Sequence, residues 1–137
     1  KIQDGCDQFC SYCIIPHTRG RVRSKPLEVV LEEAGLLAKI HPEIVLTGIH
    51  TGAYGRDLDH IHLTTLIRRL MENPNMSRLR ISSIEVTEVT DDLIKIILES
   101  NTLVPHLHIP LQSGSDPILK RMNRPTQLRT ISSASKR

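Results

Sequence analysis

The chain has 137 residues, of which 39% are apolar and 24% are charged, and its formal net charge is +3. This composition allows one compact domain with an ordinary core and excludes a largely disordered chain. No apolar run approaches the roughly 18 residues that a membrane span requires, and no signal-peptide pattern is found, so the sequence predicts a soluble cytoplasmic protein.

The first predicted element is a loop that carries every cysteine of the chain. Glycine, proline and polar residues dominate residues 4–25, and Cys6, Cys10 and Cys13 lie there with the spacing C-x3-C-x2-C. An odd number of cysteines cannot form a complete disulfide framework, and their clustering indicates ligation in a reducing compartment.

Three interpretations of this cysteine loop remain open from its residues. Three thiolates can hold a [4Fe–4S] cluster and leave its fourth iron free for a substrate or cofactor, and the spacing favours this interpretation. A zinc site is the alternative, with His17 as the nearest candidate for a fourth ligand. The third interpretation is a set of unliganded buried thiols.

Predicted helices and strands alternate after the loop. Helical periods predict helices at about 26–40, 63–70, 91–98 and 116–119, and short apolar runs predict strands at 44–48, 79–84 and 106–109. Residues 44–48 are typical of a strand that is covered on both faces. Thr90 is predicted to cap the third helix and Asp116 the fourth, with Pro117 as the first helical residue.

This order is typical of βα units, in which parallel strands are joined by right-handed crossovers. A barrel segment and a doubly wound sheet both fit. In either fold the loops at 47–52, 83–88 and 110–115 follow strands, so they should converge on one face.

Histidines and arginines suggest further candidate sites. His106 and His108 share one face of a predicted strand, and His60 and His62 repeat the spacing. A metal-dependent hydrolase must therefore be considered, although polar positions inside a barrel are the favoured role for His106 and His108.

A basic run follows the three cysteines in the second half of the same loop. Arg19, Arg21 and Arg23 are candidates to bind a cofactor carboxylate or nucleic-acid phosphates. Phe9, Tyr12 and Tyr54 are the only aromatic residues for base stacking, so sequence-specific RNA recognition by this chain alone is not expected. A zinc-knuckle module that binds nucleic acid without catalysis is the alternative function.

Several stretches resemble the methylthiotransferase family of the radical S-adenosylmethionine (SAM) superfamily over about residues 1–124. They are residues 1–6 (KIQDGC), 13–16 (CIIP), 18–20 (TRG), 46–52 (LTGIHTG), 81–85 (ISSIE) and 106–116 (HLHIPLQSGSD). Residues 46–55 are most similar to the MtaB branch, which acts on threonylcarbamoyl-adenosine beside the tRNA anticodon. Sister branches act on isopentenyl-adenosine in tRNA or on an aspartate of a ribosomal protein.

The resemblance implies an α/β fold, a partial (β/α) barrel of the radical SAM type with about the first four βα units. It would occupy residues 1–125, and a divergent polar tail would follow at 126–137. The implied cofactors are a [4Fe–4S] cluster, held by Cys6, Cys10 and Cys13, and SAM. The residues implied for SAM are Tyr12, Gly48, Ser83, Glu85, Gln112 and Ser113, for which ordinary packing, turning and loop hydrogen bonds are the competing roles.

The resemblance also implies partners. The family acts on tRNA through a carboxyl-terminal RNA-binding domain and receives sulfur through an amino-terminal domain with an auxiliary cluster, and neither pattern is found in this chain. No membrane partner is expected. The isolated chain is therefore expected to be marginally stable, to associate, and to catalyse no methylthiolation by itself.

Overall fold

The computed structural model describes residues 1–126 and has mixed α/β structure; the predicted tail falls outside them from residue 127 onward. The strands are β1 (Gln3–Asp4), β2 (Arg23–Ser24), β3 (Ile44–Leu46) and β4 (Leu79–Ile81). The helices are α1 (Ile15–Arg19), α2 (Leu27–Ala38), α3 (Leu63–Met71), α4 (Asp91–Glu99) and α5 (Asp116–Arg121), with 3₁₀ turns at Thr51–Ala53 and Val86–Glu88. Among residues 1–126, no helix has the length and apolar character to cross a membrane.

The helices predicted from apolar periodicity are confirmed. In α3 the four predicted apolar positions, Leu63, Leu66, Ile67 and Leu70, are all buried. The N-terminus of α4 is capped as predicted, because the Leu93 backbone N–H donates to Thr90 Oγ1 at 3.2 Å. Local signals therefore set both helices.

One βα crossover unit is present. β3 and β4 are parallel, with Ile44 opposite Leu79 and Leu46 opposite Ile81, and α3 connects them. These four residues are buried in the core with α2, α3 and α4. Val45 is 43% exposed, so the prediction that this strand is covered on both faces is wrong. Alternate residues of a strand face opposite sides, and only the side of Ile44 and Leu46 meets the helices.

The predicted strand at 106–109 does not form. The chain around it runs parallel to β4 and to the residues after β4, but it pairs there only through isolated bridges, at Leu79 with Leu103 and at Ser83 with His108. Pro105 and Pro110 flank it, and proline has no N–H to donate to a ladder. Among the described residues the sheets have two strands each, so a barrel wall is not established.

The cysteine loop has more structure than its sequence predicts. β1 pairs antiparallel with β2, and Gln3 lies opposite Ser24, which closes the base of the loop. The Cys6 backbone N–H donates to the Gly20 carbonyl oxygen at 3.0 Å just inside this pair. The segment that the sequence predicts only as a loop is therefore held at both ends.

Helix α5 lies against the cysteine loop. Ser115, not Asp116, is the N-cap residue, and Asp116 is the first helical residue, where its carboxylate is near the positive end of the helix dipole. Past the other end of α5, the Met122 carbonyl accepts from the Ser11 N–H at 3.0 Å, and Asn123 Nδ2 donates to the Phe9 carbonyl at 2.7 Å. Residues distant in sequence thus fix the outer part of the loop.

An ion-pair cluster beside the parallel strands gives a testable pH effect. Glu43 accepts from Arg80 Nε at 2.9 Å and from Arg78 Nε at 3.0 Å. These bonds hold the pKa of the Glu43 carboxyl below its ordinary value of 4.5. Such a carboxylate adds stability above its unfolded-state pKa and loses it as the pH falls through its folded-state pKa.

We expect Glu43→Gln to lower the urea unfolding midpoint slightly at neutral pH, and the difference from the parent chain to shrink as the pH falls below 4.5. Urea titrations across this range measure it. Glu32→Gln, at an exposed position of α2, is the matched control and should leave the urea unfolding midpoint unchanged at every pH. A Glu43→Gln deficit that persists unchanged in acid would contradict the ionic origin of the effect.

Candidate functional site

The three cysteines line one recess of about 150 Å³. Cys10 is buried, Cys6 and Cys13 are half-buried, and all three are free thiols. The remaining lining residues come from the loop itself, from the segment after β3, and from the segments after β4 and α5: Gln8, Tyr12, Ile15, Ile49, His50, Glu85 and Arg124. The recess therefore gathers the predicted ligands at the carboxyl end of the parallel strands.

Local backbone bonds shape the loop. The Cys13 N–H donates to the Cys10 carbonyl at 3.0 Å, which forms a tight turn between the last two cysteines. α1 begins directly afterwards, with Pro16 in its first turn. The Gln8 N–H donates to Cys6 Sγ at 3.4 Å. The loop thus turns its sulfur atoms toward a common space.

The electrostatics at Cys6 matter for ligation. Burial raises the pKa of the Cys6 thiol, and the neighbouring cysteines raise it further, against the lowering effect of the Gln8 N–H. A metal or cluster ligand must be a thiolate. Donors around the sulfur therefore favour the ligating form.

His50 is a site residue that the sequence reasoning did not single out. Its side chain is 4% exposed, and its Nδ1 lies 3.6 Å from Cys6 Sγ. Its Nε2 lies 2.6 Å from Glu88 Oε1, and Arg56 Nη2 reaches the same oxygen at 2.8 Å. His50 lies in the motif at 46–52, directly after a predicted strand, and that position could have identified it as a site residue. From the sequence, this motif was used only for the family resemblance.

Arg124 is the second residue at the recess that the sequence did not place there: with Lys120 and Arg121 it forms a basic group that could bind an anion, and no pattern links it to the cysteines. Its guanidinium forms a buried ion pair with Glu85, with Nη2 2.5 Å from Oε2, and its Nη1 lies 3.9 Å from Cys10 Sγ. The side chain is 4% exposed, so the ion pair is shielded from water. A fixed positive charge beside Cys10 offsets the negative charge that a thiolate would place there.

Two of the residues implied for SAM lie at the recess. Tyr12 is 52% exposed and lines it from the outside, and Glu85 lines it from within, paired with Arg124. Gly48 lies outside the lining, and a Cβ there would come 2.8 Å from Gln3 Oε1. The structure therefore gives Gly48 a packing reason to be glycine.

The other implied residues also lie outside the recess lining. Ser83 and Gln112 are exposed, and Gln112 has a φ of 64°. Ser113 Oγ accepts from the Ser115 N–H at 3.2 Å, an ordinary loop hydrogen bond. The loop at 110–115 therefore does not join the cysteine recess directly.

The histidines predicted as possible metal ligands do not form a common site. His17 is exposed and packs edge-on against Phe9, with ring centroids 5.7 Å apart. His106 and His108 are exposed rather than buried in polar core positions, and His60 and His62 are exposed too. Within residues 1–126, no three His, Cys, Asp or Glu side chains surround a point where a single metal ion could bind.

The remaining candidates for nucleic-acid contact divide into two groups. Tyr54 is 1% exposed, and its hydroxyl donates to the Lys25 carbonyl at 2.9 Å, so it is a core residue and not a base-stacking one. Burial raises the pKa of Tyr54 to about 12. Arg19, Arg21 and Arg23 are exposed beside the cysteine loop and remain candidates.

Comparison with known proteins decides the family. The sequence model of the radical SAM superfamily matches residues 1–135, which include the whole cysteine recess. The chain belongs to the radical SAM superfamily. This membership implies an iron–sulfur cluster and SAM, and the donor set agrees, because three free thiols share one recess.

Relatives of this radical SAM chain carry more specific names. It is 48% identical over 126 residues to the threonylcarbamoyladenosine tRNA methylthiotransferase MtaB of Bacillus subtilis and 47% identical over 126 residues to that of Thermotoga maritima. It is 41% identical over 130 residues to the tRNA-2-methylthio-N(6)-dimethylallyladenosine synthase of Lawsonia intracellularis. Each match covers 90% of this chain but only 28–29% of the relative, so the chain spans less than a third of their length.

Proposed function

We propose that this chain is the SAM-cleaving part of a methylthiotransferase that converts threonylcarbamoyl-adenosine beside the anticodon of cytoplasmic tRNA to its 2-methylthio form. The observation that carries the proposal is the convergence of three free thiols on one recess in a chain similar to MtaB proteins. The proposal treats β3, α3 and β4 as consecutive units of a partial (β/α) barrel. The parallel bridges that continue past β4 support that arrangement.

In this proposal Cys6, Cys10 and Cys13 hold a [4Fe–4S] cluster through three of its irons. A bound cluster would supply the electron that cleaves the sulfonium of SAM. The chain's own task is to hold the thiolates, shield them from water and offset their charge. The buried ion pair of Arg124 with Glu85 supports that role, since it lines the same recess.

SAM would lie over the recess and the loops beside it. We assign Tyr12 to the adenine end, Gly48 to the methionyl amine through its backbone, and Glu85 to the ribose or methionyl end. Ser83, Gln112 and Ser113 would contribute from adjacent loops. The position of Tyr12 and Glu85 on the recess supports the first and third of these assignments.

The tRNA and the sulfur source complete the proposal. Exposed Arg19, Arg21 and Arg23 lie beside the cysteine loop, where phosphate contacts would hold the anticodon stem near the recess. Sulfur would come through a separate domain with an auxiliary cluster. The sister reaction on dimethylallyl-adenosine is the second candidate, because the Lawsonia intracellularis relative carries that name.

Nucleoside analysis tests the reaction and separates the two substrates. Deleting the gene that encodes this chain should abolish 2-methylthio-threonylcarbamoyl-adenosine in total tRNA, as measured by mass spectrometry. The level of threonylcarbamoyl-adenosine without the methylthio group should rise by the same amount. A plasmid-borne copy of the gene should restore the 2-methylthio nucleoside. Loss of the methylthio-dimethylallyl nucleoside instead would assign the chain to the sister branch, and no change in either would refute the proposal.

A further inference from the structure

The segment from residue 48 to 52 surrounds His50 with contacts that fix its position. The His50 backbone N–H donates to Gln3 Oε1 at 2.8 Å. Gln3 is 2% exposed, and its Nε2 donates to the carbonyls of Asp4 and Gly5, both at 2.6 Å. One buried amide therefore ties His50 to the backbone that enters the cysteine loop.

Both glycines of this segment make room for these partners. A Cβ at Gly48 would approach Gln3 Oε1 to 2.8 Å, and a Cβ at Gly52 would approach Glu88 Oε2 to 1.9 Å. Real Cβ atoms do not come this close, so a side chain at either position would displace Gln3 or Glu88. The glycines thus allow one partner to hold the His50 backbone and the other to reach its ring.

The ring of His50 lies between a carboxylate and a sulfur atom. Glu88, 8% exposed, meets Nε2, and its own carboxylate is fixed by Arg56. The Nε2 contact is short but lacks the alignment of a hydrogen bond, so Glu88 restricts the rotation of the ring by its proximity alone. The opposite nitrogen, Nδ1, then faces Cys6 Sγ at 3.6 Å. Groups that contact the ligands of a metal centre tune the properties of that centre.

We propose that His50, oriented by Glu88, is a positioning residue that donates its Nδ1–H to the Cys6 sulfur and raises the reduction potential of the cluster. This inference rests on the proposed function, because it requires the cluster on Cys6. Reduction adds negative charge to the cluster and its sulfur ligands, and a hydrogen-bond donor stabilises that charge. Loss of the donor therefore makes the cluster harder to reduce.

The test is a redox titration of the 137-residue chain after anaerobic reconstitution with iron and sulfide, followed by electron paramagnetic resonance. We expect His50→Phe to bind the cluster but to lower its reduction potential, with the reduction equilibrium about tenfold less favourable, or about 59 mV for one electron. Glu88→Gln should shift it in the same direction by less. His41→Phe, at an exposed histidine outside the recess, is the matched control and should not shift it.

His50→Asn separates the hydrogen bond from the packing of the ring, because its amide N–H lies near the position of Nδ1. A parent-like potential in His50→Asn supports the proposal, even if His50→Phe fails to hold the cluster. A cluster-loaded His50→Phe with the parent potential overturns it, as does a His50→Asn variant as impaired as His50→Phe. Failure of the parent chain to bind any cluster would instead refute the proposed function together with this inference.

Discussion

Replacing Cys13 with serine should abolish cluster binding and the SAM cleavage that depends on it. Two thiols would remain on a recess that gathers three, and a hydroxyl is a poor ligand for iron. We expect bound iron to fall from about four per chain to less than about one. Release of 5′-deoxyadenosine from SAM should fall by more than about 100-fold, since outer-shell changes alone cost 10–100-fold at metal sites.

The matched control is Ser11→Ala in the same loop. Ser11 is exposed and contacts Met122 through its backbone N–H, which alanine retains. Iron analysis, visible absorption and chromatography of the SAM products measure the outcome. A parent chain that stays colourless, binds one zinc tightly and loses that zinc when Cys13 is replaced would instead support a zinc module.

Gly5→Ala should have the largest effect on stability of the substitutions considered. Gly5 has a φ of 72°, and a Cβ there would lie 1.9 Å from the Arg21 carbonyl oxygen. The left-handed backbone alone costs about 1–2 kcal/mol for alanine, and the clash adds to it because backbone must move. We expect the free energy of unfolding to fall by more than about 2 kcal/mol, with weaker cluster retention, because the base of the cysteine loop opens.

Gly114→Ala provides the comparison at another loop glycine. A Cβ there meets nothing within 4 Å, so the change in the free energy of unfolding should stay within about 0.5 kcal/mol. Urea unfolding followed by circular dichroism measures both variants. Equal stability of the Gly5→Ala and Gly114→Ala chains would show that the loop base tolerates rearrangement.

Features with local causes were predictable from the sequence. The period of α3 and the Thr90 cap of α4 depend on residues a few positions apart, and both are confirmed. The radical SAM resemblance is also confirmed, because it rested on short contiguous motifs, among them residues 1–6 and 46–52. Short-range information was sufficient for these predictions.

Features with distant causes were not predictable. The exposure of Val45 depends on which helices cover each face of β3, and most of those helices are distant from it in sequence. The failed strand at 106–109 is different, because its flanking prolines were a local signal in the sequence. Distant residues also determine the site. Arg124 reaches Cys10 across 114 residues of sequence, and no local pattern at either position indicates that contact. Sequence spacing thus identified the thiols but not the side chains that surround them.

The contacts between the cysteine loop and the end of α5 can form only late in synthesis, because the two segments are far apart in sequence. The ribosome makes Phe9 and Asn123 114 residues apart, an interval of roughly 6–23 s at 5–20 residues per second. Throughout that interval the nascent chain carries three thiols on a loop whose outer wall does not yet exist. Iron and sulfide delivered early would meet an open, oxidisable loop, so we expect productive insertion of the proposed cluster only after Arg124 has left the exit tunnel.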